Sequence, residues 1–436
     1  MRDEVFNIKM NQYVKLYNDI RPQMERQCHA VLNAEREAAM GVFKSLGFPL
    51  RKVERYRYTD VEEAFAPDYG LSMSPYTIKS VDYVCPISEA PIDVTPYYNK
   101  IADASDGLTA LNTALTHDAL VIYIPKGTVC KNPIRVENIL CGTQDTMIVR
   151  RILIIMEESS EATIFFVDNA KQGGVAAESH AKQASIASEA PSGEGSAAPQ
   201  YLTLQVIEAY CKANAHLDMY EVEETDSRCR RFSNLYLKAD RDASVRHNSI
   251  TLSNGITRNG VDVMLAGVGS DVTLNGAVIA DGRQHVDNNT LIDHQVPRCT
   301  SNELYKYVAD DEAVGAFAGR ILVREGAGQT TSQETNNNMC ASDTARIYTQ
   351  PMLEIYADDV KCSHGATVGV MNEDALFYMQ QRGIPLETAR TLLKNAFISQ
   401  VIDELHWQGL RDRIHILVEK RLSKEDRCGS CRICSN

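Results

Sequence analysis

The sequence predicts a mainly β chain, a parallel β-helix with α-helical segments at both ends. Three observations point there. Short strand-like runs separated by turn residues begin near residue 118, among them Ala119-Leu-Val-Ile-Tyr-Ile-Pro, Arg150-Arg-Ile-Leu-Ile-Ile-Met and Gln200-Tyr-Leu-Thr-Leu-Gln-Val-Ile. No amphipathic helix of about 10–15 residues interrupts positions 200–358, which argues against a doubly wound α/β sheet. Finally, Ala215-His-Leu217, Ala243-Ser-Val245 and Ser270-Asp-Val272 each follow a polar turn and precede an alternating strand, at spacings of 28 and 27 residues. Such a period, built of strands without helices, suits a stack in which each coil buries its apolar face only against its neighbours. A β-sandwich is the rival architecture that the same periodicity allows.

The elements follow in order. Val14, Tyr17, Ile20 and Met24, then Val31, Leu32, Met40 and Phe43, recur at helical steps between charged positions. Gly47-Phe48-Pro49 closes that run, since glycine tolerates a left-handed cap and proline blocks continuation. Residues 68–100 hold four prolines and read as loop, so 1–117 forms an N-terminal helical region with its linker. The β-helix is expected over 118–370, with turns at Asn254, Asn275 and Asp281, each followed by glycine. Residues 171–199, rich in Ala, Ser, Gly and Glu, read as a flexible insertion between coils, lacking the apolar surface to offset ordering entropy. Helix returns at 371–423. Asn372 is a good N-cap with acidic residues behind it, Gly383 can end that helix, and Pro385 suits the start of the next. A last charged helix covers roughly 410–422, and the coil stack is expected to close its own core without a second helical layer. Residues 424–436 form a flexible tail holding three cysteines.

The chain of 436 residues allows two to four structural units, and 44% apolar residues supply a sizeable core. Lys and Arg number 45 against 58 Asp and Glu, a net charge of −13 with no long basic run, which excludes non-specific nucleic-acid binding. The polar N-terminus shows no secretory signal, and no apolar run approaches the ~20 residues that span a bilayer. A cytoplasmic, non-membrane protein is expected, with its twelve cysteines as free thiols or metal ligands.

Several enzyme signatures are missing. Gly-Lys never occurs, so no Walker A loop exists and the chain itself should bind no nucleotide. Neither a His-Glu-x-x-His zinc helix nor a Gly-x-Ser-x-Gly elbow is present. Three groups could carry chemistry. Cys362 and His364, two residues apart on a strand, project to one face and could reach one soft metal or cluster iron, and Lys361 could favour the thiolate. The alternative is a buried thiol beside a hydrogen-bonded histidine. Asp281, Arg283, His285 and Asp287, continuing to Asp293 and His294, form a dense polar group that is either an acid–base or metal site or a corner network satisfying buried backbone groups. Cys428, Cys431 and Cys434 have spacing that suits thiolate ligation and lack a fourth ligand, so the tail is either a metal-binding alternative or incidental.

The stretch Asp271-Val-Thr-Leu-Asn-Gly to Ala280-Asp-Gly-Arg-Gln-His-Val-Asp, then His294 and Pro297-Arg-Cys-Thr-Ser-Asn302, resembles the SufB/SufD family. So do Gly319-Arg-Ile-Leu-Val, Gln333-Glu-Thr-Asn336, the run from Pro351 to Gly369, Gly383-Ile-Pro, and Gly47-Phe-Pro-Leu-Arg-Lys-Val-Glu-Arg-Tyr-Arg-Tyr-Thr59. Within that family Ser363-His364-Gly365 resembles the SufD branch; Tyr56 stands where many members carry tryptophan. The resemblance implies a right-handed parallel β-helix between two helical regions, and a non-catalytic scaffold subunit of the SUF complex on which iron–sulfur clusters are built. It further implies a SufB paralogue paired through the β-helix and a SufC-type ABC ATPase docked on the C-terminal helices. A transient cluster or iron would sit at the SufB–SufD interface, with His364 contributing and Cys362 a neighbouring thiol. A reduced flavin in the assembled complex and a homodimer in isolation are left open.

The competing function is a β-helix polysaccharide lyase or hydrolase, with Asp281, Asp287 and Asp293 as candidate carboxylates. Such enzymes are commonly secreted and stack sugars on several aromatics, whereas this chain has one Trp.

Overall fold

The computed structural model describes residues 2–72, 77–78, 82–170 and 198–423. The expected flexible insertion, over 171–197, and the tail with Cys428, Cys431 and Cys434 lie outside them.

Three short strands, β1 (Gly70–Leu71), β2 (Thr77–Ile78) and β3 (Val84–Pro86), lead into a parallel solenoid of about eight coils, two strands to a coil. One sheet stacks β4 (Ala119–Ile124), β6 (Thr146–Met156), β8 (Tyr201–Cys211), β10 (Cys229–Ala239), β12 (Ile256–Leu265), β14 (His285–His294), β16 (Val314–Val323) and β18 (Arg346–Ile355). The second stacks β5 (Ile134–Leu140), β7 (Glu161–Ala170), β9 (His216–Glu224), β11 (Ser244–Ser253), β13 (Asp271–Ala280), β15 (Thr300–Ala309), β17 (Thr331–Cys340) and β19 (Lys361–Val370). The mainly β, solenoid expectation holds and the sandwich does not, because every solenoid strand pairs parallel with the strand one coil away.

The sequence repeats lie in register. Leu217 pairs with Val245 and Val245 with Val272, all facing the interior, so the 27–28-residue spacing is the length of one coil. Inward positions of the first sheet form a matching column, Ile152, Ile207, Leu235 and Val261. Each such side chain contributes about 1.5–3 kcal/mol on leaving water. Asn254 and Asp281 do sit at turns, but Asn275-Gly276 does not; both lie inside β13. A Cβ at Gly276 would overlap the ring of Tyr305 on the next coil, so this glycine serves close packing and makes no turn.

The N-terminal helices α1 (Arg2–Gln27) and α2 (Ala30–Leu46), the single-turn α3 (Val61–Ala64) and the buried α4 (Gly107–Leu115) cover the outside of the first sheet. Tyr13, Phe43, Phe48 and Phe65 meet Leu202, Leu204 and Phe232 there. Polar ties fix this layer. The Arg151 guanidinium donates to Glu208 at 2.5 Å, and Glu208 also accepts from the backbone N–H of Asn99 and Lys100 at 2.8 and 2.9 Å. Arg55 donates to Asp262 at 2.5 and 2.9 Å, and the Tyr58 and Tyr348 rings stack at 4.9 Å. Tyr56 is buried, donates to Asp106 at 2.5 Å and lies under the Arg258 guanidinium.

The C-terminal helices are α5 (Glu373–Gln381), α6 (Leu386–Ile402) and α7 (Gln408–Leu422). Asn372 caps α5 by accepting from Ala375 N–H, and Gly383 takes a φ of 83° after it. The coil stack closes its inner core with its own residues, and α6 and α7 add a second apolar layer outside it. Phe165, Tyr220, Ile250, Leu252, Ile279 and Val308 make the outer face of the second sheet apolar, and Ile398, Val401, Ile402, Ile414 and Val418 of α6 and α7 bury it.

Candidate functional site

The solenoid ends on β18 and β19, the last strands of their sheets, with no further strand paired to their outer edges among the described residues. Here burial fails abruptly. Nearly all of β19 is exposed, and Val368, Val370, Ile355 and Tyr356 stand open, with Phe377 and Tyr378 of α5 also exposed.

Cys362 and His364 lie on this strand. The period of two puts them on one face, with Lys361 on the other. Cys362 is half-buried and packs with Ile321, Val323 and Leu353, whereas His364 is exposed. Burial pushes the Cys362 thiol up, and a hydrogen bond from the Ser332 backbone offsets only part of that. The expected Lys361-assisted thiolate is therefore corrected: the ammonium belongs to the opposite face and desolvation wins.

Register extends both residues into the interior as two files. Cys362 pairs with Ser332 and Ser332 with Ser301; the two serine hydroxyls are 2.6 Å apart, and Ser301 meets the His294 ring nitrogen at 3.0 Å. Burial pushes His294 down to about 4, so its ring is neutral near pH 7. Beside this file, His364 pairs with Glu334 and Glu334 with Glu303. Glu303 and Glu334 are both buried, and burial raises both carboxyls, Glu303 adding to the rise at Glu334. Sequence reasoning missed these two glutamates. They stand 31 residues apart in unrelated local contexts, and only the coil register brings them together.

The Asp281–His294 group disperses. Asp281 accepts from Arg421 of α7, Thr59 donates to Asp287 at 2.6 Å and meets His285 at 3.1 Å, Asp293 accepts from Arg324 at 2.7 Å, and His294 is fully buried against the Ser301 hydroxyl. These are ties between layers and coils. Each of the three candidate carboxylates is engaged by a partner within the protein, which leaves the polysaccharide-cleaving alternative without support.

Cys362 and His364 offer one soft and one borderline donor on the open coil, suited to iron or a cluster as cargo. No group of three His, Cys, Asp or Glu able to hold a metal occurs among the described residues. No helix among those residues is long and apolar enough to cross a membrane.

Comparison with known proteins adds independent findings. Residues 139–397 match the family model described as the SufBD core domain of SUF-system FeS cluster assembly, and residues 7–92 and 85–136 match the SufBD N-terminal region. An iron–sulfur cluster assembly SufBD family protein of Synechocystis is 27% identical over 92% of this chain and 82% of its own length. The iron–sulfur cluster assembly protein SufD of Escherichia coli is 32% identical over 48% of this chain and half of that protein. The chloroplastic protein ABCI7 of Arabidopsis thaliana is 26% identical over 79% of this chain and 70% of its own length.

Proposed function

The chain belongs to the SufBD family of the SUF iron–sulfur cluster assembly system, and from that membership we propose that it is the SufD-type, non-hydrolytic scaffold subunit. Its open end coil pairs with a SufB-type paralogue, and its C-terminal helices receive a SufC-type ABC ATPase.

The observation that carries the pairing is the uncovered β18–β19 end. Unpaired strand edges beside exposed Val368, Val370 and Tyr356 form a template for another chain, and an isolated protein ordinarily blunts such an edge. Cys362 and His364 lie on that end, so a partner seated there completes the ligand set around a nascent cluster or iron ion. Exposed Leu392 of α6 and Ile416 of α7, on helices whose other face is buried in the sheet, support the ATPase-docking reading. The missing Walker A sequence fits a division of labour in which another chain hydrolyses nucleotide.

The test is affinity purification from native extract of the full chain, of His364→Ala and of Cys362→Ala, followed by assay of cluster delivery to an acceptor apoprotein. All three should recover a SufB-like chain and an ABC ATPase, since removing a few atoms rarely dissolves a large interface. Cluster delivery should fall most in His364→Ala. Recovery of neither partner by the native chain would overturn the subunit assignment, and wild-type delivery by both variants would leave a purely structural subunit.

A further inference from the structure

Two facing columns inside the solenoid both carry polar or small residues in the last coils. In the first sheet Ile152, Ile207, Leu235 and Val261 give way to Thr290 and then Gly319. In the second, Leu274 gives way to Glu303 and then Glu334. Leu274 shows that a hydrocarbon fits this column, so the fold does not require carboxyls there. Yet Glu303 and Glu334 are 0% and 1% exposed, and all four carboxyl oxygens lack a well-formed protein hydrogen bond. The Thr290 hydroxyl faces Glu303 from the opposite sheet. A Cβ on Gly319 would collide with the Glu334 carboxyl, so that glycine makes its room. Two buried, adjacent carboxyls so poorly supplied with donors are strongly disfavoured if ionised and uncompensated. Buried polar atoms left without partners call for an ion or water.

We propose that Glu303 and Glu334 together bind one divalent cation of the hard, oxygen-preferring class, Mn(II) or Mg(II), inside the last coils of the solenoid. Two carboxylates balance its charge, and the Thr290 hydroxyl and water supply further oxygen donors. Oxygen ligands select this class over the thiolate- and imidazole-seeking ions. The open end coil, one coil beyond Glu334, is the way in. The site lies within a single chain and stands whether or not the pairing proposed above is correct.

The experiment uses the full chain, purified without oxygen, with Mn(II) as probe. Free Mn(II) is counted by electron paramagnetic resonance, and thermal melts are recorded with and without the ion. Wild type should take up about one Mn(II) per chain saturably and melt at a higher temperature with it, as binding to the folded state requires. Glu303→Gln/Glu334→Gln should bind at least about tenfold more weakly and lose the melting shift, its charged ligands having become neutral amides. His364→Ala should bind as wild type does. If the double variant does not fold, Glu334→Gln alone carries the comparison. Absence of saturable binding by the folded wild type, or unchanged binding by both glutamine variants, overturns the proposal. Loss of binding in His364→Ala also overturns it, by moving the ion to the end face.

Discussion

Arg421 of α7 holds Asp281 through two hydrogen bonds, 2.5 and 2.6 Å long, and donates a third to the Leu252 carbonyl at 2.7 Å. Asp281 follows β13 and Leu252 belongs to β11, so one guanidinium fastens the last helix to neighbouring coils. Both side chains are mostly buried, at 13% and 14% exposure, so the pair escapes the screening that makes surface ion pairs nearly neutral.

Arg421→Ala should therefore lower stability by about 2 kcal/mol, the range of bidentate charge-assisted bonds. Denaturant unfolding measures it, and hydrogen exchange should show α7 amides opening first. If α7 protection is unchanged, the helix is held by its apolar face alone.

Glu208→Ala should be costlier. It takes the Glu208 carboxylate from the Arg151 guanidinium, which is 1% exposed, and strips acceptors from the backbone of Asn99 and Lys100. Breaking one side of a buried pair costs about 3–5 kcal/mol. A loss of under about 1 kcal/mol in equilibrium unfolding would contradict this assignment.

Glu223 should contribute a fall in stability as pH rises from acid to neutral. Burial lifts Glu223 from 4.5 to about 7, partly countered by Arg231 and by the Thr257 hydroxyl at 2.7 Å. A raised folded value means the native state keeps a proton that the unfolded chain releases first. The stabilisation is complete below pH 4.5 and is lost as pH climbs through about 7, up to about 3 kcal/mol in all. Glu223→Gln should flatten that decline in melts at pH 5 and pH 8. An equally steep decline in the variant would assign the effect to other groups.

Gly276→Val should destabilise by about 1–3 kcal/mol through overpacking against Tyr305. Adding Tyr305→Leu should recover part of the loss, a coupling read from a double-mutant cycle. Strictly additive effects would mean the two do not meet.

Sequence periodicity reached far into this molecule. The Ala215, Ala243 and Ser270 repeats lie in register because in a parallel stack the apolar residue of each coil must sit on that of the last. The helix caps at Asn372 and Gly47 were legible for a local reason, since a cap is set by residues within one turn. Asn275-Gly276 misled because the same dipeptide that favours a turn also makes space for a ring one coil away, and only packing distinguishes the two uses.

The sequence by itself determined the strand period, the helical ends, the family and the candidate pair Cys362 and His364, all carried by residues close together in the chain. Tertiary structure alone decided which polar residues meet. Coil lengths grow from 27 residues between Ser244 and Asp271 to 31 between Thr300 and Thr331, so no fixed spacing joins Glu303 to Glu334 or Ser301 to Ser332. Hydrogen bonding between strands selects those partners, and burial then fixes their charge. The apolar outer face of the second sheet likewise became legible only when α6 and α7 were seen to cover it, because a strand buried on both sides, as β13 is over most of its length, loses the alternation that marks one face as solvent.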